Sequence, residues 1–175
     1  QLFAITEQLN QGCSLIEAET ERLLLAQLNL QAAEKAKQAS VWEAAVRYAQ
    51  IGVSLLPENS WQCAYQLSYA LNLIQVESEF LISNYKKAQG LAEDLLQLAQ
   101  APLEKAHICL LLATQLDSTD TQYSIKKGLE GLRYCNSPAP EPDRIDAKLI
   151  ALERQLLNDL LDQKKLASQG ELSAN

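Results

Sequence analysis

The chain has 175 residues, of which 47% are hydrophobic, and it contains six glycines and five prolines. Its 22 acidic and 15 basic residues give a net charge of −7, which argues against binding to nucleic acid or an anionic membrane because both require a concentrated basic surface. The length suits one helical domain, and no apolar run approaches the ~18 to 20 residues of a membrane span, so we expect a cytoplasmic protein.

The cysteines indicate no metal site. Cys13, Cys63, Cys109 and Cys135 form no C-x-x-C pair, and the chain has a single histidine. Zinc ligands come in closer sets, so we expect buried free thiols and no cofactor. The chain has no methionine, even at position 1, which favours a fragment of a longer protein.

Two amphipathic segments open the chain. Residues 2–10 predict a short helix with one apolar face, which ends near Gly12; Leu2, Ile5 and Leu9 form that face. A second helix should begin near Ser14 or Thr20 and run to about Gln38. It has a small-residue face that allows close helix packing, formed by Ala32, Ala33 and Ala36.

A capping pattern then predicts the partner helix. Ser40 stands where an N-cap belongs, with Glu43 three residues later, ahead of a helix over 44–56. Pro57 should end that helix. Residues 30–57 therefore read as one unit of a helical repeat, with close contacts at Ala33, Ala45, Ala49 and Gly52.

The pattern occurs twice more along the chain. A long and strongly buried helix is predicted over 61–81, capped by Asn59 or Ser60, and the helix after the turn at 83–85 carries Ala88, Ala92 and Leu95. A third pass pairs a helix over 103–116 with one that carries Ser124, Gly128 and Gly131. Interior glycines cost ~1 kcal/mol each relative to alanine, so they indicate tight packing on the preceding helix. The offsets between units are 43 and 36 residues, against about 34 for a tetratricopeptide repeat.

The end of the chain predicts one more helix. After a proline-rich connector, residues 143–165 carry an apolar stripe that can cap the open end of the repeat, and 167–175 should be a flexible tail. We therefore expect an all-α, tetratricopeptide-like right-handed superhelix of about eight helices. The domain would cover 1–166, with hairpins at about 20–57, 60–102 and 103–138 and terminal helices at 2–10 and 143–165.

Candidate chemistry is sparse. His107 could serve as a base or phosphoacceptor, but a lone helical histidine is more often structural, and Glu104 one turn earlier is as easily a solvent pair. The acidic pairs Glu77/Glu79 and Glu93/Asp94 are expected on solvated faces. Asp117–Asp120 lacks the ligand pattern of a calcium loop, and no common nucleotide, metal or acyl-transfer motif is present. We therefore predict no catalytic, cofactor-binding or metal-binding residue.

The remaining functional signal is surface shape. In helical-hairpin repeats, the first helix of each pair lines the concave side. The polar residues there form a candidate protein-binding groove, with ordinary solvated helix as the alternative: Gln27, Glu34, Lys37, Gln38 and Glu77. Four large aromatic residues could anchor a partner or belong to the core, namely Trp42, Trp61, Tyr65 and Tyr69.

Several segments occur in the order found in one family. Residues 21–37, 48–57, 65–71 and 128–132 resemble the helical-repeat region of large bacterial signalling proteins. In that family a serine/threonine-kinase-like domain and an AAA-type ATPase precede the repeats, and a GAF sensor and often a histidine kinase follow them. The resemblance implies a cytoplasmic, non-catalytic module that couples these domains, and it carries over no catalytic residue.

Three functions therefore stand as hypotheses. The first is an interaction or interdomain-coupling module that contacts protein or neighbouring domains of the same chain. The second is a freestanding adaptor that captures a peptide in the concave groove. The third is a helical enzyme with an unrecognised site.

Overall fold

Helices make up most of the described chain. The computed structural model describes residues 1–115 and 121–136, apart from the side chain of Gln115. These residues contain eight α-helices, a 3-10 turn at Cys13–Leu15 and no strand, which confirms an all-α protein. The helices are α1 (Leu2–Gln11), α2 (Glu19–Gln38), α3 (Trp42–Leu55), α4 (Ser60–Cys63), α5 (Tyr65–Leu81), α6 (Tyr85–Leu98), α7 (Pro102–Gln115) and α8 (Thr121–Tyr134).

Part of the predicted layout lies outside these residues. The helix predicted over 143–165, the tail 167–175 and the turn Asp117–Asp120 all fall there. The described residues belong to one compact unit, Gln1–Ser137. The domain limit at residue 166 and the right-handed, tetratricopeptide-like superhelix remain predictions.

Small residues bring α2 and α3 together. Ala33, Ala45 and Ala49 are fully buried in one cluster between the two helices. Gly52 faces α5, where a Cβ atom would lie 2.5 Å from Leu71 Cδ2 and 3.4 Å from Asn29 Cβ. The close contacts predicted from the small-residue spacing are therefore present, because any larger side chain would separate the backbones.

The turn between α2 and α3 corrects the predicted capping box. Ser40 has a φ of 57° and lies at the end of α2, while Val41 precedes α3 without a side-chain cap. The Val41 N–H donates to Ala36 O at 2.9 Å and the Ser40 N–H donates to Lys37 O at 3.0 Å. These bonds form a Schellman motif. The short connection leaves Ser40 to close α2, so it cannot also cap α3.

The same turn recurs 43 residues later. Ser83 has a φ of 64°, and the Asn84 N–H donates to Glu79 O at 2.9 Å. Ser40 and Ser83 therefore occupy equivalent positions between the paired helices α2–α3 and α5–α6. The two connections therefore share one backbone conformation.

The predicted long helix over 61–81 is broken. Ala64 has φ −138° and ψ 43°, which separates α4 from α5. The prediction of one continuous helix was wrong, since the hydrophobic spacing is the same on both sides of the break and cannot locate it. The expected burial is confirmed, because α5 has nine buried residues and each of α2 and α3 has six.

The pairing of α7 with α8 depends on Gly131. A Cβ atom at Gly131 would lie 3.0 Å from Cys109 Cβ and 3.4 Å from Ala106 O, whereas one at Gly128 would meet Ala113 Cβ at 3.9 Å. Tight packing is therefore present at Gly131, and the contact at Gly128 is an ordinary one.

The thiol prediction holds only in part. All four cysteines are free, but only Cys109 is buried, and that burial raises the pKa of its thiol to about 11. Cys13 is half-buried, and Cys63 and Cys135 are exposed. The sequence correctly predicts that the cysteines form no disulfide bonds, but it does not predict which of them are buried. Burial depends on which helix faces are covered in the folded protein.

Candidate binding surface

Four of the five predicted groove residues line one depression. This N-terminal groove has a volume of about 460 Å³ and lies among α2, α3 and α5. Its lining consists of Glu34, Lys37, Gln38, Trp42, Ala70, Leu73, Ile74 and Glu77. The fifth predicted residue, Gln27, is exposed two turns before Glu34 and does not line the groove.

Glu77 is the electrostatic centre of this region. Its carboxylate forms a salt bridge with Lys37 of α2 and lies 3.7 Å from Nε2 of His107 on α7. The Glu77 side chain is 14% exposed. One α5 carboxylate thus faces cationic or titratable groups from two other helices.

This arrangement corrects two expectations. Glu77 does not lie on a solvated face, and His107 faces a carboxylate from another helix instead of its sequence neighbour Glu104. Long-range pairs of this kind have no signature in the linear spacing. Only the packing of α2 and α7 on either side of α5 brings the groups together.

Glu104 holds the start of α7. It accepts a hydrogen bond from the Ala101 N–H at 3.1 Å and another from the Tyr65 hydroxyl. Ala101 is the N-cap and Pro102 the first helical residue, so Glu104 is the third residue of α7 and makes the carboxylate half of a capping box. The solvent pair predicted for Glu104 and His107 is therefore wrong.

A second, larger depression was not predicted. This C-terminal groove has a volume of about 760 Å³ and is lined by α5, α7 and α8. Large side chains around it remain exposed, with Leu103 at 75%, Leu110 at 57% and Leu132 at 38%. The sequence shows these leucines as parts of amphipathic helices but cannot show that their faces meet at an open groove.

The two grooves meet at α5. Leu73 lines both, Tyr69 lines the C-terminal groove, and Ile74 lines the N-terminal one. Burial is the main cause that raises the pKa of Tyr69 to about 12, and the negative charge of Glu104 adds to it. The Tyr69 phenol is therefore neutral at physiological pH. Its uncharged aromatic ring forms part of the wall of the C-terminal groove.

Two other acidic residues, Glu79 and Glu93, form contacts within the structure. Glu79 is fully buried, binds Lys87, and accepts a hydrogen bond from Asn84 Nδ2 at 2.7 Å. Glu93 accepts a hydrogen bond from the Tyr123 hydroxyl at 2.6 Å, and this bond holds the pKa of Glu93 below its usual value. Of the four residues predicted on solvated faces, only Asp94 is exposed.

The aromatic residues divide between core and groove. Tyr69 is buried, and Trp61 and Tyr65 pack on the same core cluster while partly exposed. Trp42 is half-buried and lines the N-terminal groove. Of the four candidate anchors, Trp42 and Tyr69 therefore reach a groove wall.

The described residues form neither a metal-binding cluster nor a membrane-spanning helix. Residues 1–115 and 121–136 contain no group of three or more His, Cys, Asp or Glu side chains placed to hold a metal ion. Within the same ranges, no helix combines the length and the apolarity needed to cross a membrane.

The chain resembles one curated signalling protein. It is 32% identical over 108 residues to hybrid signal transduction histidine kinase G of Dictyostelium discoideum. The match covers 57% of this chain and 3% of that protein, so the chain spans a small part of its relative. No protein-family model and no solved structure matches the chain significantly.

Proposed function

We propose that this chain is a non-catalytic interaction or interdomain-coupling module of a larger cytoplasmic signal-transduction protein. The observation that carries the proposal is the pair of grooves that share Leu73 of α5 in their walls. A continuous recessed surface built from successive hairpins is the feature that repeat proteins use to hold another chain. The similarity to a hybrid histidine kinase supports the signalling context.

The structure suggests how such a module transmits a signal. Glu77 connects α2, α5 and α7 through Lys37 and His107. A domain that docks at one end of a tetratricopeptide-like superhelix and displaces one of these contacts would change the packing of the next hairpin. Coupling of this kind requires an element with two arrangements, and the shared carboxylate is our candidate for it.

Replacing the repeats within the complete protein tests the proposal. Residues 19–136 would be exchanged for an inert helical spacer of equal length, and phosphotransfer output would be measured with and without stimulus. We expect the stimulated change in output to be lost. The matched control is Gly90→Ala, because a Cβ atom at Gly90 meets nothing within 4 Å. A spacer protein with the same stimulated output as the native one would refute coupling.

The freestanding adaptor is the second candidate. It is favoured by the placement of Lys37 and Glu77 in the wall of the N-terminal groove. This function predicts that charge reversal at either residue abolishes peptide capture by the isolated chain. The complete reading frame distinguishes the two candidates, since a coupling module requires adjoining ATPase, sensor or kinase domains.

The geometry gives the enzyme hypothesis less support. The volume of the C-terminal groove, about 760 Å³, is large enough for a small ligand, and His107 lies in its wall. The carboxylate near His107 is already bound to Lys37, which lowers its capacity to orient a catalytic imidazole. The raised pKa of Tyr69 makes that phenol a poor proton donor or acceptor at neutral pH.

A further inference from the structure

The C-terminal groove has the form of a receptor for a helix. Leu103, Ala106 and Leu110 recur at three- and four-residue steps along α7, and Gly128 and Leu132 lie one turn apart on α8, with Cys135 just beyond its end. Two such rows form the walls of a trough that accepts the apolar face of a third helix. The leucines are already exposed, so a ligand that covers them gains apolar burial.

The charged residues that line both grooves favour a positively charged ligand. The walls contain the acidic residues Glu34, Glu77 and Glu104 and one permanently basic residue, Lys37. The whole chain carries a net charge of −7. The net charge of the chain therefore attracts a cationic partner at long range, and the acidic residues of the groove walls attract it at contact.

The two parts of the surface favour different parts of one ligand. The C-terminal groove offers leucine side chains on α7 and α8, whereas Glu34 and Glu77 stand in the N-terminal groove beyond Leu73. Lys37 is 36% exposed at its side chain, so a ligand cation can compete with it for Glu77 without moving a buried group.

From this arrangement we propose that the joined grooves bind a basic amphipathic helix. Its leucine-sized residues occupy the C-terminal groove, and its Lys or Arg residues contact Glu77 and Glu34. This inference rests on the proposed interaction function and names the chemical class of the partner.

The test uses the full chain and three synthetic helical peptides of 18 residues. The first carries leucines at i, i+3, i+4 and i+7 with lysines on the polar face, the second replaces the lysines by glutamates, and the third is a scrambled version of the first. Fluorescence anisotropy measures affinity at low and high salt. We expect the basic peptide to bind at least tenfold more tightly than the other two, with affinity that falls as salt rises.

Variants locate the binding site. Leu110→Asp should abolish binding, and the exposure of Leu110 makes the change compatible with folding, which circular dichroism verifies. Leu15→Asp is the matched control, because Leu15 is 82% exposed and lies outside both grooves. Glu77→Gln should lower the affinity for the basic peptide three- to tenfold. Glu58→Gln, at an exposed position, should leave that affinity unchanged.

Each alternative result overturns the proposal in a recognisable way. Equal affinity for the basic and acidic peptides excludes a basic helix at this surface. An equal loss of affinity for the basic peptide in Leu110→Asp and Leu15→Asp excludes it as well. Light scattering that shows a dimer lost in Leu110→Asp assigns the groove to a second copy of the chain. Absence of peptide binding together with a lost response in the spacer replacement rejects this ligand class and retains the interaction function.

Discussion

Gly52 shows how a single residue sets the distance between helices. Its Cα hydrogen faces Leu71 and Asn29, both fully buried, on two different helices. Glycine in a helix interior costs about 1 kcal/mol relative to alanine. The close approach of α3 to α2 and α5 offsets that cost, because it buries the surfaces of three helices together.

We predict that Gly52→Ala destabilises the protein by about 1 to 3 kcal/mol despite the better helix propensity of alanine, since the new methyl group overpacks the site. Urea unfolding followed by circular dichroism measures the change. Gly90→Ala is the comparison, where open space around the residue predicts a gain of up to about 1 kcal/mol. Equal effects of the two substitutions would contradict the packing argument.

The Tyr123–Glu93 hydrogen bond predicts a pH-dependent contribution to stability. Tyr123→Phe should lower the free energy of unfolding by about 1 kcal/mol at pH 7. The bond lowers the pKa of Glu93 from its usual 4.5, so the folded protein binds this proton less readily than the unfolded chain. The contribution is therefore present above pH 4.5 and is lost as pH falls through the lower folded pKa.

Urea unfolding at a series of pH values checks this effect. The difference between the native protein and Tyr123→Phe should narrow as pH falls below about 4.5. Tyr85→Phe, at a position 38% exposed, provides the control and should show no such narrowing. If the difference in free energy of unfolding between the native protein and Tyr123→Phe stays constant from neutral to acid pH, a charge-assisted hydrogen bond between Tyr123 and Glu93 is excluded.

At the scale of elements, the helix connections are the most regular feature. Ser40 and Ser83 both adopt left-handed conformations at the ends of the first helices, and Asn136 does so after α8 with a φ of 51°. A left-handed conformation costs a residue with a Cβ atom about 1 kcal/mol relative to glycine. The turns therefore keep the hairpins short at a small expense in stability.

We predict that Ser40→Gly and Ser83→Gly each raise the free energy of unfolding by about 0.5 to 1 kcal/mol, because glycine adopts the left-handed conformation without strain. Ser54→Gly, at an exposed position inside α3, should instead destabilise the protein by a few tenths of a kcal/mol or more. Thermal and urea unfolding measure the three variants. Destabilisation by Ser40→Gly would show that its hydroxyl group contributes more than the backbone strain costs.

For the whole molecule, α5 is the central element. It contributes Val76 and Phe80 to one core cluster, Ile74 to a second and Leu71 to a third. It also packs against α2, α3 and α6. The first two hairpins are therefore joined through α5, whereas α7 packs against α6. The two grooves lie on either side of α5.

This arrangement predicts regional responses to core mutations. Leu71→Ala and Leu112→Ala should each cost about 2 to 5 kcal/mol, because both side chains are fully buried. Hydrogen exchange should show lost protection in α2, α3 and α5 for the first variant, and in α6 to α8 for the second. Stacked repeats open in neighbouring units, so uniform loss of protection along the chain in both variants would contradict this organisation.

The sequence by itself determined the helical class, the small-residue contacts and the offset of 43 residues between the first two hairpins, because these features arise from local periodicity and side-chain size. It also placed Glu34, Lys37 and Gln38 together, since residues three and four positions apart share one face of α2. Only the prediction of a repeat assigned Glu77 of α5 to the same surface. The break at Ala64 and the left-handed turn at Ser40 depend on backbone conformations that the local residue pattern does not reveal.

Only the tertiary structure decided which charges meet. Glu77 and Glu79 are two residues apart, yet one faces the grooves beside Lys37 and His107, and the other is fully buried against Lys87. The C-terminal groove likewise depends on how α7 and α8 pack against each other and lie beside α5. Contacts between residues 30 to 40 positions apart depend on helix packing, which linear spacing does not encode, and those contacts define the surface that we propose as the binding site.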